Sequence, residues 1–294
     1  MGNLMLGTAQ LGQRYGIANR VGQPDMVGAH AIIAAAWGAG VRAFDTAPDY
    51  GDAEERMGAA FRTLDIADAA RVTTKLGAEG DGADAAAIVQ SVGASRERLG
   101  VARLDGLLVR RTLLARWGTV RPALVQMIGG GVVEHIGISV YTPEEALAAL
   151  ALTDVTFVQV PTSIVDRRFL TAEIFDRAAA LGKRIVVRSV LLQGLLTMAP
   201  DDAPPIPGAR EALAGIRRVC DDRAVSPIAL ALAYVRERCP AADVLVGAET
   251  ALQVAELAAA WNAPCGACAA ILEQYVPPGT SGLVDPTRWH AAVG

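Results

Sequence analysis

Short apolar runs alternate with longer segments of helical periodicity from one end of the chain to the other. The apolar runs that predict strands are residues 4–6, 41–45, 71–75, 104–109, 136–140, 155–160, 184–188 and 244–246. Strands that alternate with helices indicate βα units, in which neighbouring strands are parallel. Eight such units without a break in composition predict one α/β domain over residues 1–294, a single (β/α)₈ TIM barrel with a C-terminal extension at residues 262–294.

The predicted helices follow the predicted strands along the chain. They occupy residues 29–37, 54–62, roughly fifteen residues up to Leu99, then 117–128, 170–181, 209–220, 227–238 and 251–260, with another beginning at Pro143. The alternative fold is an open, doubly wound sheet. That fold would carry Gly-x-Gly-x-x-Gly between its first strand and first helix, and this chain has no such motif there.

Composition narrows the classes of partner. The net charge of −4 over 294 residues disfavours a nucleic-acid partner, and no long apolar run without polar breaks predicts a membrane span. The cysteines, with no secretory segment recognised before them, are expected to be reduced thiols of a cytoplasmic protein; they are Cys220, Cys239, Cys265 and Cys268. The Cys265-x-x-Cys268 pair has neither a second pair nor a nearby histidine, so we predict no metal site.

Polar side chains stand at the predicted C-terminal ends of the strands. Barrel enzymes place their chemistry at these ends, and the strands themselves are apolar, so packing does not account for the polar residues. In chain order they are Asp45, Lys75, Arg110, Ser139, Gln159, Arg188 and Ser189. Lys75 is one of only two lysines among 27 basic residues. The simpler alternative is a solvated lysine at the end of a strand.

The segment from Asp45 to Gly58 concentrates these signals. Asp45 ends an apolar run, Tyr50 follows on a turn, and Asp52 precedes a predicted helix. Taken alone, the segment is also compatible with a simple helix cap followed by a loop tyrosine. A free tyrosine has a pKa near 10, but a neighbouring ammonium favours its phenolate form, and a carboxylate beside that ammonium keeps it charged and in place. Asp45, Tyr50 and Lys75 could therefore form an acid–base group.

Several spaced motifs together resemble the aldo-keto reductases. They lie at residues 6–10, 45–58, 73–75, 136–139, 158–161 and 189–195, in the order and spacing of that family. The resemblance implies that Tyr50 is the proton donor to a carbonyl, with Asp45 and Lys75 as its catalytic partners. It also implies a bound nicotinamide cofactor. The cofactor-binding residues it implies are Ser139, Gln159, Arg188, Ser189, Leu191, Gln193, Gly194, Gly247, Glu249 and Gln253.

Two departures from the family pattern change the expectation. Arg110 stands where the family places the histidine of its catalytic tetrad, and His30, His135 and His290 are not placed to replace it. Arg110 is therefore expected to face the substrate oxyanion, or to bind a carboxylate or phosphate of the substrate. Together with Lys75 it would put Tyr50 between two cations and favour the phenolate, which is a base.

The second departure concerns the nucleotide. Residues 247–257 contain no Lys or Arg, although family members that prefer NADP carry basic residues there. Glu249 would repel a 2′-phosphate and could accept a hydrogen bond from a 2′-hydroxyl. We therefore expect NAD rather than NADP, or a site that has lost nucleotide binding.

The leading hypothesis is an oxidoreductase that transfers hydride between a nicotinamide and a carbonyl or alcohol, with Tyr50 as acid or base and sugar derivatives as candidate substrates. The first alternative is a non-redox isomerase, epimerase or lyase that uses Tyr50 as a base. The second is a binding protein that has kept the barrel without catalysis. Each hypothesis expects a small-molecule partner, and none specifies an oligomeric state.

Overall fold

The computed structural model describes residues 2–77, 85–264 and 268–289. Its eight strands form a closed barrel in which each strand pairs in parallel with the next, and the last pairs with the first. The strands are β1 (Leu4–Gly7), β2 (Ala43–Asp45), β3 (Arg71–Lys75), β4 (Leu104–Arg110), β5 (Val133–Ser139), β6 (Val155–Pro161), β7 (Arg184–Arg188) and β8 (Asp243–Gly247). The predicted (β/α)₈ barrel is confirmed, and every predicted strand lies within three residues of its expected ends.

Helices surround the barrel. In chain order they are α1 (Ala9–Gly12), α2 (Met26–Gly38), α3 (Ala53–Leu64), α4 (Ala85–Leu99), α5 (Trp117–Gly129), α6 (Pro143–Leu150), α7 (Arg168–Thr171), α8 (Ile174–Ala180), α9 (Ala209–Arg223), α10 (Pro227–Arg238), α11 (Ala251–Asn262), α12 (Ala269–Tyr275) and α13 (Ser281–Val284). Short 3₁₀ turns lie at Arg111–Arg116, Leu195–Thr197, Pro200–Asp202 and Pro286–Arg288. None of the helices in the described residues is long and apolar enough to cross a membrane.

Local sequence explains where α6 begins. The Thr142 side chain accepts from the N–H of Glu145, whose carboxylate accepts from the Thr142 N–H in return, and Pro143 occupies the first turn. The single helix predicted at residues 170–181 is wrong, because the chain forms α7 and α8 instead. Glu173 separates them in the left-handed region, with φ of 56°, and no turn-forming glycine marks this break in the sequence.

A small apolar cluster fills the interior of the barrel. The ring of Phe157 belongs to this cluster and leaves no room for a side chain at Gly106 or Gly137. A Cβ at Gly137 would lie 2.4 Å from Phe157 Cζ, and one at Gly106 would lie 3.0 Å from it. The much larger core lies between the strands and the surrounding helices. The polar strand ends are thus mounted on a packed barrel.

The described part of the C-terminal extension packs on the barrel. Buried residues of the extension, among them Leu272, Val276, Leu283 and Trp289, belong to the main core. The Gly279 N–H donates to the Val165 carbonyl at 2.8 Å and joins the extension to the loop after β6.

Candidate active site

Asp45, Lys75 and Tyr50 lie together at the C-terminal ends of β2 and β3. Lys75 Nζ is 2.5 Å from Asp45 Oδ1 and also donates to the Thr46 carbonyl at 3.2 Å. The same ammonium lies 5.1 Å from the centre of the Tyr50 ring and hydrogen-bonds the Tyr50 side chain. The structure therefore brings together the three side chains that the sequence predicted to form one cluster.

The charge of Lys75 is well supported in this position. Burial by itself would lower the pKa of Lys75, but the Asp45 carboxylate, the Tyr50 side chain and the hydrogen bonds to both raise the pKa above its ordinary value. Asp45 is only 2% exposed, so its attraction for the ammonium is weakly screened. Lys75 is a charged ammonium at neutral pH.

Gln159 and Ser139 extend the cluster across the barrel. Gln159 Nε2 donates to Asp45 Oδ2 at 2.9 Å, and Ser139 Oγ donates to Gln159 Oε1 at 3.2 Å. One hydrogen-bonded chain thus runs from Ser139 on β5 through Gln159 on β6 to Asp45 and Lys75. These hydrogen bonds fix the orientation of the Gln159 amide, because its nitrogen and its oxygen each have one defined partner.

These residues form the base of a cavity of about 820 Å³ at the C-terminal mouth of the barrel. That volume is within the range of roughly 300–1,000 Å³ typical of ligand and cofactor sites. Every residue that the sequence predicted for catalysis or cofactor binding lines it: Asp45, Tyr50, Lys75, Arg110, Ser139, Gln159, Arg188, Ser189, Leu191, Gln193, Gly194, Gly247, Glu249 and Gln253.

Arg110 ends β4 beside the cluster, but its charge has a partner within the protein. Its Nη2 is paired with the carboxylate of Asp49, and its Nε donates to the Leu76 carbonyl at 3.2 Å. Because Asp49 precedes Tyr50 in the same loop, this pairing joins the Tyr50 loop to β4. The expectation that two cations act on Tyr50 left out the Asp49 carboxylate.

The loop after β7 and the loop between α1 and α2 meet at the cavity. Ser189, Gln193 and Gly194 all have positive φ, and a Cβ at Gly194 would lie 2.6 Å from Ala18 Cβ, so glycine is required there. The Gln193 carbonyl accepts from the Ala18 N–H at 3.4 Å, and Gln193 Nε2 donates to the Tyr15 hydroxyl at 3.3 Å. Successive N–H groups in left-handed backbone suit an anion.

The end of β8 carries acidic and neutral groups. The Gln10 side chain covers Gly247, where a Cβ would lie 2.3 Å from Gln10 Nε2. The Glu249 N–H donates to Gln253 Oε1 at 2.6 Å, and the Thr250 side chain caps α11 by accepting from the Gln253 N–H. Burial raises the pKa of Glu249, and a hydrogen bond with Gln253 offsets part of that effect.

Sequence reasoning missed two tyrosines that also line the cavity. Tyr15 lies on the loop between α1 and α2, and burial raises its pKa. Tyr141 follows β5, with the guanidinium carbons of Arg188 and Arg111 at 4.3 and 4.9 Å from its ring centre. Their positions could have identified them, because each comes after a predicted strand and the chain has only five tyrosines.

The histidines and cysteines are placed elsewhere. His30 lies in α2, and His135 lies within β5 rather than before it, where burial lowers its pKa; neither lines the cavity. His290 and Cys265 fall outside the described residues, and Cys268 is buried. Across residues 2–77, 85–264 and 268–289, no cluster of His, Cys, Asp or Glu could hold a metal ion.

The chain belongs to the aldo/keto reductase family, a family of oxidoreductases, whose model matches residues 3–266. A D-threo-aldose 1-dehydrogenase from a Pseudomonas species is 27% identical over 296 residues, covering 85% of this chain and 88% of the relative.

Solved structures show the same barrel. A glycerol dehydrogenase from Gluconobacter oxydans superposes with a TM-score of 0.74 at 24% identity, covering 96% of this chain and 94% of that one. An aldo-keto reductase from Bacillus halodurans, solved in its holo form, superposes with a TM-score of 0.78 at 21% identity over 97% and 95% of the two chains. At these identities the likeness concerns the fold.

Proposed function

We propose that this protein is an NAD-dependent oxidoreductase that interconverts a hydroxyl and a carbonyl on a small, sugar-like molecule. The observation that carries the proposal is the cluster of Asp45, Lys75 and Tyr50 at the base of the cavity. The similarity to a D-threo-aldose 1-dehydrogenase supports the sugar-like substrate.

In this proposal Tyr50 exchanges a proton with the reacting oxygen. In reduction its hydroxyl gives the proton to the developing alkoxide, and in oxidation its phenolate removes the proton of the alcohol. The Lys75 ammonium stabilises the phenolate by charge, and Asp45 holds the ammonium at 2.5 Å. Arg110 occupies the place of the family's histidine and offers further N–H donors to a substrate oxygen.

The cavity fits a nicotinamide dinucleotide. Ser139 and Gln159 present a hydroxyl and an amide, which can bind a carboxamide, and the positive-φ backbone between Ser189 and Gly194 can bind a pyrophosphate. Glu249 supports NAD, because its carboxylate would accept from a 2′-hydroxyl and repel a 2′-phosphate. When bound, the nicotinamide would supply or accept the hydride.

The decisive experiment follows nicotinamide absorbance during turnover of a panel of aldoses and polyols. We expect Tyr50→Phe to lower kcat by a factor of about 10²–10⁴ and to leave NADH binding unchanged, because only the proton-transfer group is lost. Tyr275→Phe is the matched control, since Tyr275 packs beside Arg218 and does not line the cavity. Full activity of Tyr50→Phe would contradict the proposal. A protein that binds no nicotinamide nucleotide would favour the non-redox isomerase, epimerase or lyase.

A further inference from the structure

Asp49 places a solvent-accessible carboxylate in the cavity, unlike the carboxylate of the acid–base group. Asp45 is 2% exposed, and its two oxygens already accept from Lys75 and Gln159. The side chain of Asp49 is 38% exposed and is paired with Arg110, and both residues line the cavity. A carboxylate can accept about four hydrogen bonds, so an exposed one that is paired with a guanidinium can also accept from a ligand.

The Asp49–Arg110 pair lies beside the proposed acid–base group. The residues assigned to the cofactor lie at or after the ends of β5, β6, β7 and β8, whereas Asp49 follows β2 and immediately precedes Tyr50. Arg110 ends β4, and its guanidinium turns toward β2 and β3: it pairs with Asp49, and its Nε donates at 3.2 Å to the carbonyl of Leu76, the residue after Lys75. The pair is therefore placed to contact the part of a substrate that is next to the reacting group.

A guanidinium beside a carboxylate complements a hydroxyl group. The carboxylate accepts from the hydroxyl and the guanidinium donates to an oxygen, and a hydroxyl makes both contacts because it is a donor and an acceptor. In the proposed function Tyr50 exchanges a proton with the oxygen on the reacting carbon. A pair in the same loop as Tyr50 fits a hydroxyl on the next carbon of the substrate. An acidic group in that place would meet the like charge of Asp49.

We propose that Asp49 and Arg110 together bind the hydroxyl on the carbon next to the reacting carbon. The enzyme then selects neutral 2-hydroxyaldehydes, a class that includes aldoses, over aldehydes that lack this hydroxyl or carry an acid in its place. This inference rests on the proposed function for the reacting group. It disfavours the binding of a substrate carboxylate or phosphate by Arg110, because Asp49 already pairs with that guanidinium.

Three two-carbon aldehydes test the inference, because they differ only in the second carbon. Glycolaldehyde carries a hydroxyl there, acetaldehyde carries none, and glyoxylate has a carboxylate. Oxidation of NADH by the full-length protein gives kcat/KM for each, corrected for the hydrated fraction of the aldehyde. We expect the value for glycolaldehyde to exceed each of the others by at least about tenfold, because a site built to bind a hydroxyl rejects analogues without it. A value for acetaldehyde or glyoxylate equal to that for glycolaldehyde would overturn the proposal.

Variants assign the selectivity to Asp49. Asp49→Ala removes the carboxylate and should bring kcat/KM for glycolaldehyde and acetaldehyde within about threefold of each other. Asp49→Asn keeps an oxygen that can accept from the hydroxyl but carries no charge, so it should retain part of this preference and raise glyoxylate relative to glycolaldehyde by about tenfold. If Asp49 only held Arg110 in place, Asp49→Ala would slow both neutral aldehydes by the same factor, and the unchanged ratio would overturn the proposal.

Asp52→Ala is the matched control. Asp52 is in the same loop, but it is paired with Arg56 and does not line the cavity. Both ratios of kcat/KM should keep their wild-type values in this variant. Changes equal to those in Asp49→Ala would overturn the assignment to Asp49.

Equilibrium binding provides a readout that does not need turnover. D-galactose and 2-deoxy-D-galactose differ only in the hydroxyl next to C1. Titration calorimetry of the Tyr50→Phe protein, with and without NADH, compares their affinities while neither sugar is consumed. We expect D-galactose to bind at least about tenfold more tightly, and the addition of Asp49→Ala to remove the difference. Equal affinities, including an absence of binding by both sugars, would overturn the proposal.

These results are separable from a failure of the proposed function. A binding preference for D-galactose that depends on Asp49, without nicotinamide-linked turnover of any substrate, would support the hydroxyl site and reject the oxidoreductase reaction. Turnover that depends on Tyr50, with equal kcat/KM for glycolaldehyde and acetaldehyde, would support the reaction and reject the hydroxyl site.

Discussion

The guanidinium of Arg110 is paired with the carboxylate of Asp49, which belongs to the loop that carries Tyr50. Arg110 ends β4 and Asp49 follows β2, so the pair connects the two strands on either side of β3. The positive charge that Arg110 places beside the acid–base group is therefore accompanied by the negative charge of Asp49. This relationship predicts that removal of the carboxylate, without a change of shape, alters how activity depends on pH.

In Asp49→Asn the Arg110 charge is no longer balanced, and it should favour the phenolate of Tyr50. We expect the pH profile of kcat/KM for alcohol oxidation to shift to lower pH, because an unbalanced cation at this position stabilises negative charge in the cavity. The double variant Asp49→Asn/Arg110→Gln should move the profile back toward that of the wild type. Steady-state rates between pH 6 and 10 measure both effects.

Asp52→Asn provides the control for this series. Asp52 is in the same loop, and its carboxylate is paired with Arg56 rather than with a residue of the cavity. Its substitution should leave the pH profile in place. Equal shifts in Asp49→Asn and Asp52→Asn would show that general loop perturbation, and not the charge on Arg110, determines the profile.

The end of β8 predicts the choice of nucleotide. Residues 247–257 contain no Lys or Arg, and Glu249 is partly buried at the cavity, so a 2′-phosphate would meet a negative charge. We expect NADH to bind at least tenfold more tightly than NADPH, a difference of about 1.4 kcal/mol, and Glu249→Lys to reverse the order. Fluorescence titration with both nucleotides measures the two affinities.

Leu252→Arg is the control for charge alone. Leu252 is 70% exposed on α11, so an arginine there adds one positive charge outside the cavity. It should change the NADH to NADPH ratio by less than about threefold, since exposed charges are screened. Tenfold tighter binding of NADPH by the wild type would mean that another basic residue holds the 2′-phosphate.

The barrel and the polar strand ends could be predicted because they depend on local periodicity. Asp45, Lys75 and Gln159 each lie at or near the C-terminal end of a predicted strand, and parallel strands bring such ends to one edge. The Arg110–Asp49 pair could not be predicted, because it depends on the side-chain positions of two residues that are 61 positions apart in the chain. The charge of Asp49 was visible in the sequence, but not which cation it would meet.

Two other features of the structure could not be predicted from the sequence, because they also depend on contacts between distant parts of the chain. The interruption at Glu173 comes from one non-glycine residue in left-handed backbone, which leaves the apolar periodicity of residues 170–181 intact. The place of Tyr141 between two arginines depends on how the loops after β4, β5 and β7 meet. Long-range packing decides both features, and periodicity describes only local structure.

Glu54 joins three elements and should matter for stability. Its carboxylate is 1% exposed, accepts from Thr74 Oγ1 at 2.7 Å and from Arg98 Nε at 2.8 Å, and so connects α3 with β3 and α4. Glu54→Ala should lower the free energy of unfolding by about 3 kcal/mol, because Arg98 would keep a partly buried charge without its main partner. Urea unfolding measures the loss.

Glu55→Ala is the matched control on the next residue. Glu55 is exposed, and its carboxylate lies 3.8 Å from Arg98, so its removal should cost less than about 0.5 kcal/mol. Similar costs for the two variants would mean that burial of the Glu54 carboxylate adds nothing to the stability of the fold.

Cys239 predicts a loss of stability at high pH. Its thiol is 2% exposed, and burial raises its pKa from 9.0 to about 12. The unfolded chain releases this proton near pH 9 while the native state retains it. The contribution of the thiol to the free energy of unfolding is therefore complete below pH 9 and falls by about 1.4 kcal/mol per pH unit above it.

Cys239→Ala lacks this titration, whereas the other ionisable groups are common to both proteins. The free energy of unfolding of the wild type minus that of Cys239→Ala, measured in urea at pH 8, 9.5 and 10.5, should therefore fall as pH rises. A constant difference would show that the native thiol ionises as readily as the unfolded one.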